Sequence, residues 1–316
     1  MNATRPTLLQ LGPIHPPCQA QVDAAHDVVK AWTLDPAARE TAIAGIADRC
    51  EAILTNGGRG ADAATMARLP RLKLVACHGV GVDAIDLAWC RAHGVAVTNT
   101  PDVLTEDVAD LALALLLATV RRIPQADRFV REGRWLEGPF GLTPTLQGRR
   151  VGIVGLGRIG QAIAKRCAAF GCEIAWQGPR DKPGQPWPRH ADVVSLAEWA
   201  DVLIAACPGG EATRHAVSLA ALEALGPVGV FVNIARGSVV DQAALVELVV
   251  QGRLGGAGLD VFDDEPRVPA ELIASDRVVL QPHQGSATDE TRGAMARLAL
   301  SNLAAHFAGR PLLTPV

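Results

Sequence analysis

Residues 151–160 read Val-Gly-Ile-Val-Gly-Leu-Gly-Arg-Ile-Gly, an apolar strand that runs into the pattern Gly-x-Gly-x-x-Gly. The pattern alone is weak evidence in a chain with 31 glycines, but here it lies between a strand and a helical stretch. Gly155 then permits a tight turn, Gly157 lets the backbone approach a pyrophosphate, and Gly160 lets the helix pack closely on the strand. The helix N-terminus would bind the phosphates. The other residues of this predicted phosphate-binding turn are Leu156, Arg158 and Ile159.

Short apolar runs alternate with amphipathic helical stretches on both sides of this turn, which is typical of parallel α/β sheets. The predicted strands are 7–11, 52–55, 72–76 and 95–98, followed by 150–154, 173–177, 201–206, 230–234, 257–261 and 278–281. We therefore predict an α/β protein with two Rossmann-like, doubly wound parallel-sheet domains and an active site in the cleft between them.

The chain is predicted to cross between the two domains twice. Residues 99–101, Asn-Thr-Pro, end the fourth strand before a long helix over about 102–122, and residues 284–287 follow the last strand as a hinge. Thr288 can cap the final helix, which Gly309 ends. This predicts a discontinuous, flavodoxin-like substrate-binding domain, residues 1–99 plus 287–316, and a dinucleotide-binding domain, residues 100–286.

The composition excludes several classes of protein. With 49% hydrophobic and 20% charged residues, the chain is neither disordered nor collagen-like. A net charge of −3 with no basic stripe argues against nucleic-acid and membrane partners. Seven scattered cysteines have no metal-ligand spacing. Residues 1–12 do not read as a signal peptide, and the most apolar stretch, residues 111–120, is too short to span a membrane. We expect a cytoplasmic protein without a metal.

The end of the second central strand bears on the choice of cofactor. An Asp or Glu about 20 residues after the glycines is typical of NAD enzymes, where it binds the ribose 2′-hydroxyl. Here Gln177 and Gly178 stand at that place, and Arg180 follows where it could pair with a 2′-phosphate. This favours NADPH. Asp181 comes one residue later, so NADH stays open.

Ligands of open α/β sheets bind beyond the carboxyl ends of the strands. Cys207 and Pro208 end the third central strand, and Arg236 directly follows the fourth, where its guanidinium suits a carboxylate. His283 ends the sixth strand and is the predicted proton donor. Glu265 would orient its ring and favour the protonated form. With a reduced nicotinamide, this set predicts reduction of a 2-keto acid.

Four runs in this order resemble the D-2-hydroxyacid dehydrogenases. They are residues 151–160, residues 233–241 (Asn-Ile-Ala-Arg-Gly-Ser-Val-Val-Asp), residues 258–266 (Gly-Leu-Asp-Val-Phe-Asp-Asp-Glu-Pro) and Pro282-His283. The glyoxylate/hydroxypyruvate reductase branch is the most similar, with the hydroxyphenylpyruvate reductases beside it. Cys207-Pro208-Gly209-Gly210 and the acid-free strand end resemble the NADPH-preferring members. The resemblance implies that Arg236, Glu265 and His283 form the catalytic trio.

The resemblance also implies roles for residues outside the trio. The backbone amides of Val80 and Gly81 would hold the substrate carboxylate. Asp260 would contact the nicotinamide carboxamide, in a pocket lined by Ile234 and Ala235. Family members are usually homodimers joined through the central domain. Trp135 resembles an aromatic that reaches a neighbouring subunit's cleft, with an ordinary packed tryptophan as the alternative.

Three functions stay open at this point. The favoured one is NADPH-dependent reduction of glyoxylate or hydroxypyruvate to the D-2-hydroxy acid. The second is reduction of hydroxyphenylpyruvate or another 2-keto acid, with NADH. The third is a non-catalytic NAD(P)-binding regulator, against which the intact Arg-Glu-His set argues.

Overall fold

Two parallel sheets, one in each of two compact units, contain all the strands of the computed structural model, which describes residues 5–316. The first unit runs to Leu104 and resumes at Ala287, and the second is Thr105–Ser286. The predicted crossing after residue 99 lies a few residues before this division, which falls directly in front of a long helix. Residues 1–4, at the start of the predicted first domain, lie outside the described residues.

The elements of residues 5–316 alternate along the chain as the apolar pattern predicts. The strands are β1 (Thr7–Gln10), β2 (Asp27–Lys30), β3 (Cys50–Asn56), β4 (Leu74–His78), β5 (Ala96–Thr98), β6 (Arg150–Val154), β7 (Glu173–Gln177), β8 (Val202–Ala205), β9 (Val230–Asn233), β10 (Gly256–Leu259) and β11 (Val278–Leu280). The helices are α1 (Pro16–Ala25), α2 (Pro36–Ala44), α3 (Ala63–Ala67), α4 (Leu87–Ala92), α5 (Thr105–Val120), α6 (Ile123–Arg131), α7 (Arg158–Ala169), α8 (Val193–Trp199), α9 (Leu219–Leu225), α10 (Gln242–Val250), α11 (Ala270–Ala274) and α12 (Asp289–Phe307).

The ten predicted strands are confirmed, with ends displaced by at most two residues. The prediction missed β2, a four-residue edge strand that is only half-buried and therefore lacks an apolar run. The final helix is also confirmed, since the Thr288 side chain accepts a hydrogen bond from the Thr291 amide at the start of α12.

The first unit has the strand order β2-β1-β3-β4-β5, with every pair parallel. This is the flavodoxin-like order of doubly wound sheets. Neighbouring residues of β3 point to opposite faces, so that Ile53 packs in one apolar cluster while Ala52 and Leu54 pack in another with α12. Both faces of the sheet are therefore buried.

The second unit has the order β11-β10-β9-β8-β6-β7, again all parallel. One further rung lies beyond β7, where Trp176 pairs with Arg189. The Trp176 amide donates to the Pro188 carbonyl at 3.0 Å, and the His190 amide donates to the Trp176 carbonyl at 2.8 Å. This rung occupies the place of the third strand in the Rossmann order 3-2-1-4-5-6. The order reverses between β6 and β8, and a nucleotide is expected at this point.

Within residues 5–316, no helix combines the length and the hydropathy required to cross a bilayer.

Candidate active site

The phosphate-binding turn joins β6 to α7 in the second unit. Gly155 has φ of +95°, and a Cβ there would lie 2.7 Å from the backbone of Cys207. A Cβ on Gly160 would collide with the carbonyl oxygen of Gly155. Both positions therefore require glycine for contacts inside the protein.

Gly157 is the third glycine of the turn and differs from the other two. It caps α7 with φ of −71°, which any residue can adopt, and a Cβ there would meet nothing within 4 Å. Its open side lies at the N-terminus of α7, where helix amides and the helix dipole favour an anion. The residues present thus fit a dinucleotide pyrophosphate, because the space that a side chain would fill is left for a ligand.

Gln161 supports this turn, although no motif singles it out. Its side-chain amide donates to the carbonyl oxygen of Leu156 at 3.2 Å, and its backbone amide donates to that of Gly157 at 2.9 Å. The side chain of Leu156 is buried in the protein. Leu156, Arg158 and Ile159 lie where they were predicted, at the junction of the turn and α7.

The end of β7 carries two arginines and one acid. Arg189 donates to the Gly178 carbonyl through Nε at 3.1 Å and Nη2 at 2.7 Å, and its Nη1 pairs with Asp181. Arg180 is exposed beside them. Asp181, the carboxylate that kept NADH possible as the cofactor, is therefore paired with Arg189. Sequence reasoning missed this arginine. Arg189 follows a proline-rich loop, and only its pairing with Trp176 brings it to this strand end.

Cys207 and Pro208 follow β8, beside Gly155. Burial raises the pKa of the Cys207 thiol to about 11, so it is a neutral packing group rather than a nucleophile. The Thr213 hydroxyl donates to the Pro208 carbonyl at 2.7 Å and holds this loop in place.

Arg236 follows β9 at the end of a turn that Asn233 shapes. The buried Asn233 side chain accepts from the Ala235 amide at 3.0 Å and donates to the Arg236 carbonyl at 2.9 Å. Ile234 and Ala235, the residues between them, are buried. Sequence reasoning missed Asn233, although an asparagine at a strand end before a turn is a recognisable signal.

His283 and Glu265 form the central pair of the site. His283 Nδ1 lies 2.8 Å from Glu265 Oε2, and the other oxygen, Oε1, accepts from the Phe262 amide at 3.1 Å. Burial raises the pKa of Glu265, but the hydrogen bonds from His283 and Phe262 and the nearby charge of Arg236 outweigh it, so the pKa lies below its usual value. The carboxylate is therefore ionised and can stabilise a protonated imidazole. Glu265 thus engages Nδ1 of His283, and Nε2 is the ring nitrogen on the opposite side.

Asp260 holds the turn that carries His283. Its carbonyl accepts from the His283 amide at 2.9 Å, and its carboxylate accepts from the Gln284 amide at 2.6 Å and the Gly285 amide at 2.9 Å. Burial raises the pKa of Asp260, which these two amides oppose. These bonds keep His283 in the left-handed region, at φ of +55°. The contact with a nicotinamide carboxamide stays a prediction.

Val80 and Gly81 lie in the first unit, in the loop that follows β4.

Trp135 lies in the second unit and is 66% exposed, with the neighbouring Leu136 at 95%. Trp135 is therefore not packed within its own chain, and a contact with a neighbouring subunit's cleft stays a prediction. Among residues 5–316, no group of three or more His, Cys, Asp or Glu side chains is arranged to hold a metal ion.

Comparison with known proteins matches residues 113–285 to the family model described as D-isomer specific 2-hydroxyacid dehydrogenase, NAD binding domain. The chain is 47% identical over 309 residues to a hydroxyphenylpyruvate reductase of Plectranthus scutellarioides, covering 98% of each. It is 52% identical over 265 residues to glyoxylate/hydroxypyruvate reductase A of Arabidopsis thaliana, covering 84% of this chain and 85% of that one.

Among solved structures, an NADPH-dependent glyoxylate/hydroxypyruvate reductase of Sinorhizobium meliloti, in complex with NADP and malonate, superimposes with a TM-score of 0.91. The two chains are 42% identical, and the match covers 99% of this chain and 97% of that one.

Proposed function

Because the chain belongs to the D-isomer specific 2-hydroxyacid dehydrogenase family, whose enzymes use NAD(P) and act on CH–OH groups, we propose that it reduces a small 2-keto acid with NADPH. The substrate is glyoxylate or hydroxypyruvate, and the product is the D-2-hydroxy acid. The observation that carries this proposal is the 2.8 Å pair of His283 and Glu265, whose unit also contains Arg236.

The residues of the trio have separate roles in the reaction. The bound reduced nicotinamide supplies the hydride that forms the new C–H bond at the carbonyl carbon. Arg236 binds the substrate carboxylate and polarises the carbonyl oxygen. As the carbonyl π bond breaks, His283 Nε2 donates its proton to that oxygen. Glu265 holds Nδ1 and stabilises the protonated ring until the transfer.

In this proposal the second unit contributes the cofactor site and the catalytic trio, and the first unit contributes further contacts to the substrate. The second unit binds the cofactor through the turn at Gly155, Gly157 and Gly160, with Asp260 at the nicotinamide carboxamide. The first unit contributes the backbone amides of Val80 and Gly81 to the substrate carboxylate. Malonate, present in the complex of the Sinorhizobium meliloti relative, is itself a dicarboxylate.

The preference for NADPH is supported by the charges at the end of β7. A ribose 2′-hydroxyl needs an acceptor, but the carboxylate of Asp181 is paired with Arg189. A 2′-phosphate needs cations, and Arg180 and Arg189 both stand at this strand end. We expect Arg180→Ala and Arg189→Ala each to raise the Kd of NADPH by roughly tenfold, as loss of a charge-assisted hydrogen bond does. The Kd of NADH is the control. Equal changes for both cofactors would mean that the 2′-phosphate is bound by other residues.

The substrate and cofactor are tested together by the loss of NADPH or NADH absorbance at 340 nm. Each cofactor is combined with glyoxylate, hydroxypyruvate, hydroxyphenylpyruvate and pyruvate. Rapid oxidation of NADPH with glyoxylate or hydroxypyruvate is the expected result. Faster turnover of hydroxyphenylpyruvate with NADH would favour the second of the three functions. If the protein binds the cofactor tightly but oxidises neither NADPH nor NADH with any of the four acids, the non-catalytic regulator is favoured.

We also propose a homodimer formed through the central domain. The support is a group of apolar side chains that a single chain leaves exposed in the second unit, namely Ile123, Val130, Trp135, Leu136 and Leu142. Light scattering is expected to give twice the chain mass, and Leu136→Asp is expected to lower it. A monomer at micromolar concentration would contradict the dimer.

A cytoplasmic location is proposed from the seven free cysteines, and cell fractionation tests it.

A further inference from the structure

The loop after β4 is tied through its carbonyl groups to the segment that follows β5, within the first unit. The Gly79 carbonyl oxygen accepts from the backbone amide of Thr100 at 2.9 Å. The Val80 carbonyl oxygen accepts from Nδ2 of Asn99, also at 2.9 Å. Two successive peptide groups therefore turn their oxygens toward the same two residues.

The planarity of the peptide group decides where the N–H groups of this loop point. In a trans peptide the C=O and the N–H of one unit point in opposite directions. The unit that carries the Gly79 oxygen also carries the Val80 N–H, and the unit that carries the Val80 oxygen carries the Gly81 N–H. Both N–H groups consequently point away from Asn99 and Thr100. Across residues 5–316, neither N–H has a hydrogen-bond acceptor within the protein.

Adjacent N–H groups that point the same way form an anion-binding concavity. We propose that Asn99 is a positioning residue for the substrate carboxylate, because its side chain sets the plane of the Val80–Gly81 peptide. This assignment rests on the proposed function, in which these two amides hold the carboxylate. Thr100 contributes only through its main chain, so Asn99 is the side chain on which the orientation depends.

Asparagine is the residue type that this contact requires. Its Nδ2 donates to a carbonyl, which a carboxylate cannot do, so an aspartate would set an oxygen against the oxygen of Val80. Asn99 is itself held from the other side. The Thr314 hydroxyl donates to its carbonyl at 2.6 Å, and its amide donates to the Thr314 carbonyl at 3.3 Å.

Asn302 completes the support of this segment. It is fully buried on α12, its Nδ2 donates to the Thr314 hydroxyl at 2.9 Å, and its Oδ1 accepts from the amides of Leu313 and Thr314. The backbone of Asn99 is thus fixed independently of its side chain. A change of the side chain alone is therefore expected to free the Val80–Gly81 peptide without unfolding the segment.

The test compares Asn99→Asp and Asn99→Ala with a control, Thr314→Val, which removes a contact with the main chain of Asn99 but leaves its Nδ2. For each protein we would measure kcat and KM for glyoxylate, the Kd of NADPH by fluorescence, and the Kd of oxamate by calorimetry on the NADPH-loaded protein. Both Asn99 variants are expected to raise the KM of glyoxylate and the Kd of oxamate by roughly tenfold. The NADPH Kd is expected to stay near that of the wild type in all three variants, and the melting temperature in the two Asn99 variants. Thr314→Val is expected to keep the glyoxylate KM and the oxamate Kd of the wild type, while its melting temperature falls because Asn302 and the Asn99 carbonyl lose a partner.

Each other outcome has a definite meaning. Unchanged glyoxylate KM and oxamate Kd in Asn99→Asp would overturn the role of Asn99, as would an equal loss in Thr314→Val. A wild type that does not bind oxamate would overturn the carboxylate site as a whole. If Asn99→Ala fails to fold, the isosteric Asn99→Asp decides. A wild type that binds oxamate but reduces no keto acid would refute the proposed function, while weaker oxamate binding by the Asn99 variants would still support this inference.

Discussion

Replacing Gly157 by alanine is expected to separate cofactor binding from folding. The residue has φ of −71° and open space around the added Cβ, so the folded chain accepts a methyl group there without strain. Alanine restricts the unfolded chain more than glycine does, which stabilises the folded protein by about 0.4–1 kcal/mol. Against this, alanine is a poorer N-cap than glycine by a few tenths to about 1 kcal/mol. The two effects largely cancel, and the free energy of unfolding is expected to change by less than about 1 kcal/mol.

Cofactor binding is expected to respond very differently to the same methyl group. It would occupy the face across which a pyrophosphate must approach the N-terminus of α7. Displacing the phosphates from that turn weakens hydrogen bonds to a charged group, each of which contributes about 1.5–3 kcal/mol. A loss of about 3 kcal/mol corresponds to a Kd for NADPH roughly a hundredfold higher.

The matched control for this variant is Gly155→Ala, two residues away. Its φ of +95° and the 2.7 Å approach to the backbone of Cys207 make alanine strained there. We expect a loss of stability of at least about 2 kcal/mol, measured by urea unfolding without cofactor. NADPH binding is followed by fluorescence titration. An unchanged Kd in Gly157→Ala would refute the pyrophosphate position, and a loss of stability equal to that of Gly155→Ala would show that the face is not open.

Three further substitutions test the catalytic pair and a buried histidine. His283→Asn is expected to lower kcat at least about a hundredfold with little change in the NADPH Kd, since a general acid is lost; a normal kcat in the 340 nm assay would exclude it as the proton donor. Glu265→Gln is expected to lower kcat with little change in the NADPH Kd, because the carboxylate that holds Nδ1 of His283 is gone; an unchanged kcat would contradict this. Burial lowers the pKa of His78 from 6.5 to about 4, so the unfolded chain binds a proton that the folded chain does not, and stability falls as the pH falls from 6.5 toward 4. At pH 5 this amounts to about 2 kcal/mol relative to pH 7. The free energy of unfolding of His78→Gln, measured with urea, is expected to fall less between pH 7 and pH 5 than that of the wild type. An equal fall in both proteins would rule out His78 as the source.

Local patterns in the sequence determined most of the architecture. The apolar runs predict ten of the eleven strands, because a strand buried on both faces is a continuous apolar segment. The glycines at 155, 157 and 160 and the polar residues at the strand ends are equally local signals. They predict the phosphate-binding turn and the positions of Arg236, Glu265 and His283 before any packing is known.

Contacts between distant segments were decided only by the tertiary structure. Asp181 alone leaves the cofactor open, and its pairing with Arg189 depends on the rung that Arg189 forms with Trp176. Asn99 and Val80 lie 19 residues apart and meet only because β4 and β5 are neighbours in the sheet. A sequence pattern records which residues share a strand or a helix face. Which loops then come within hydrogen-bonding distance depends on strand order and register, and these follow from packing over the whole sheet.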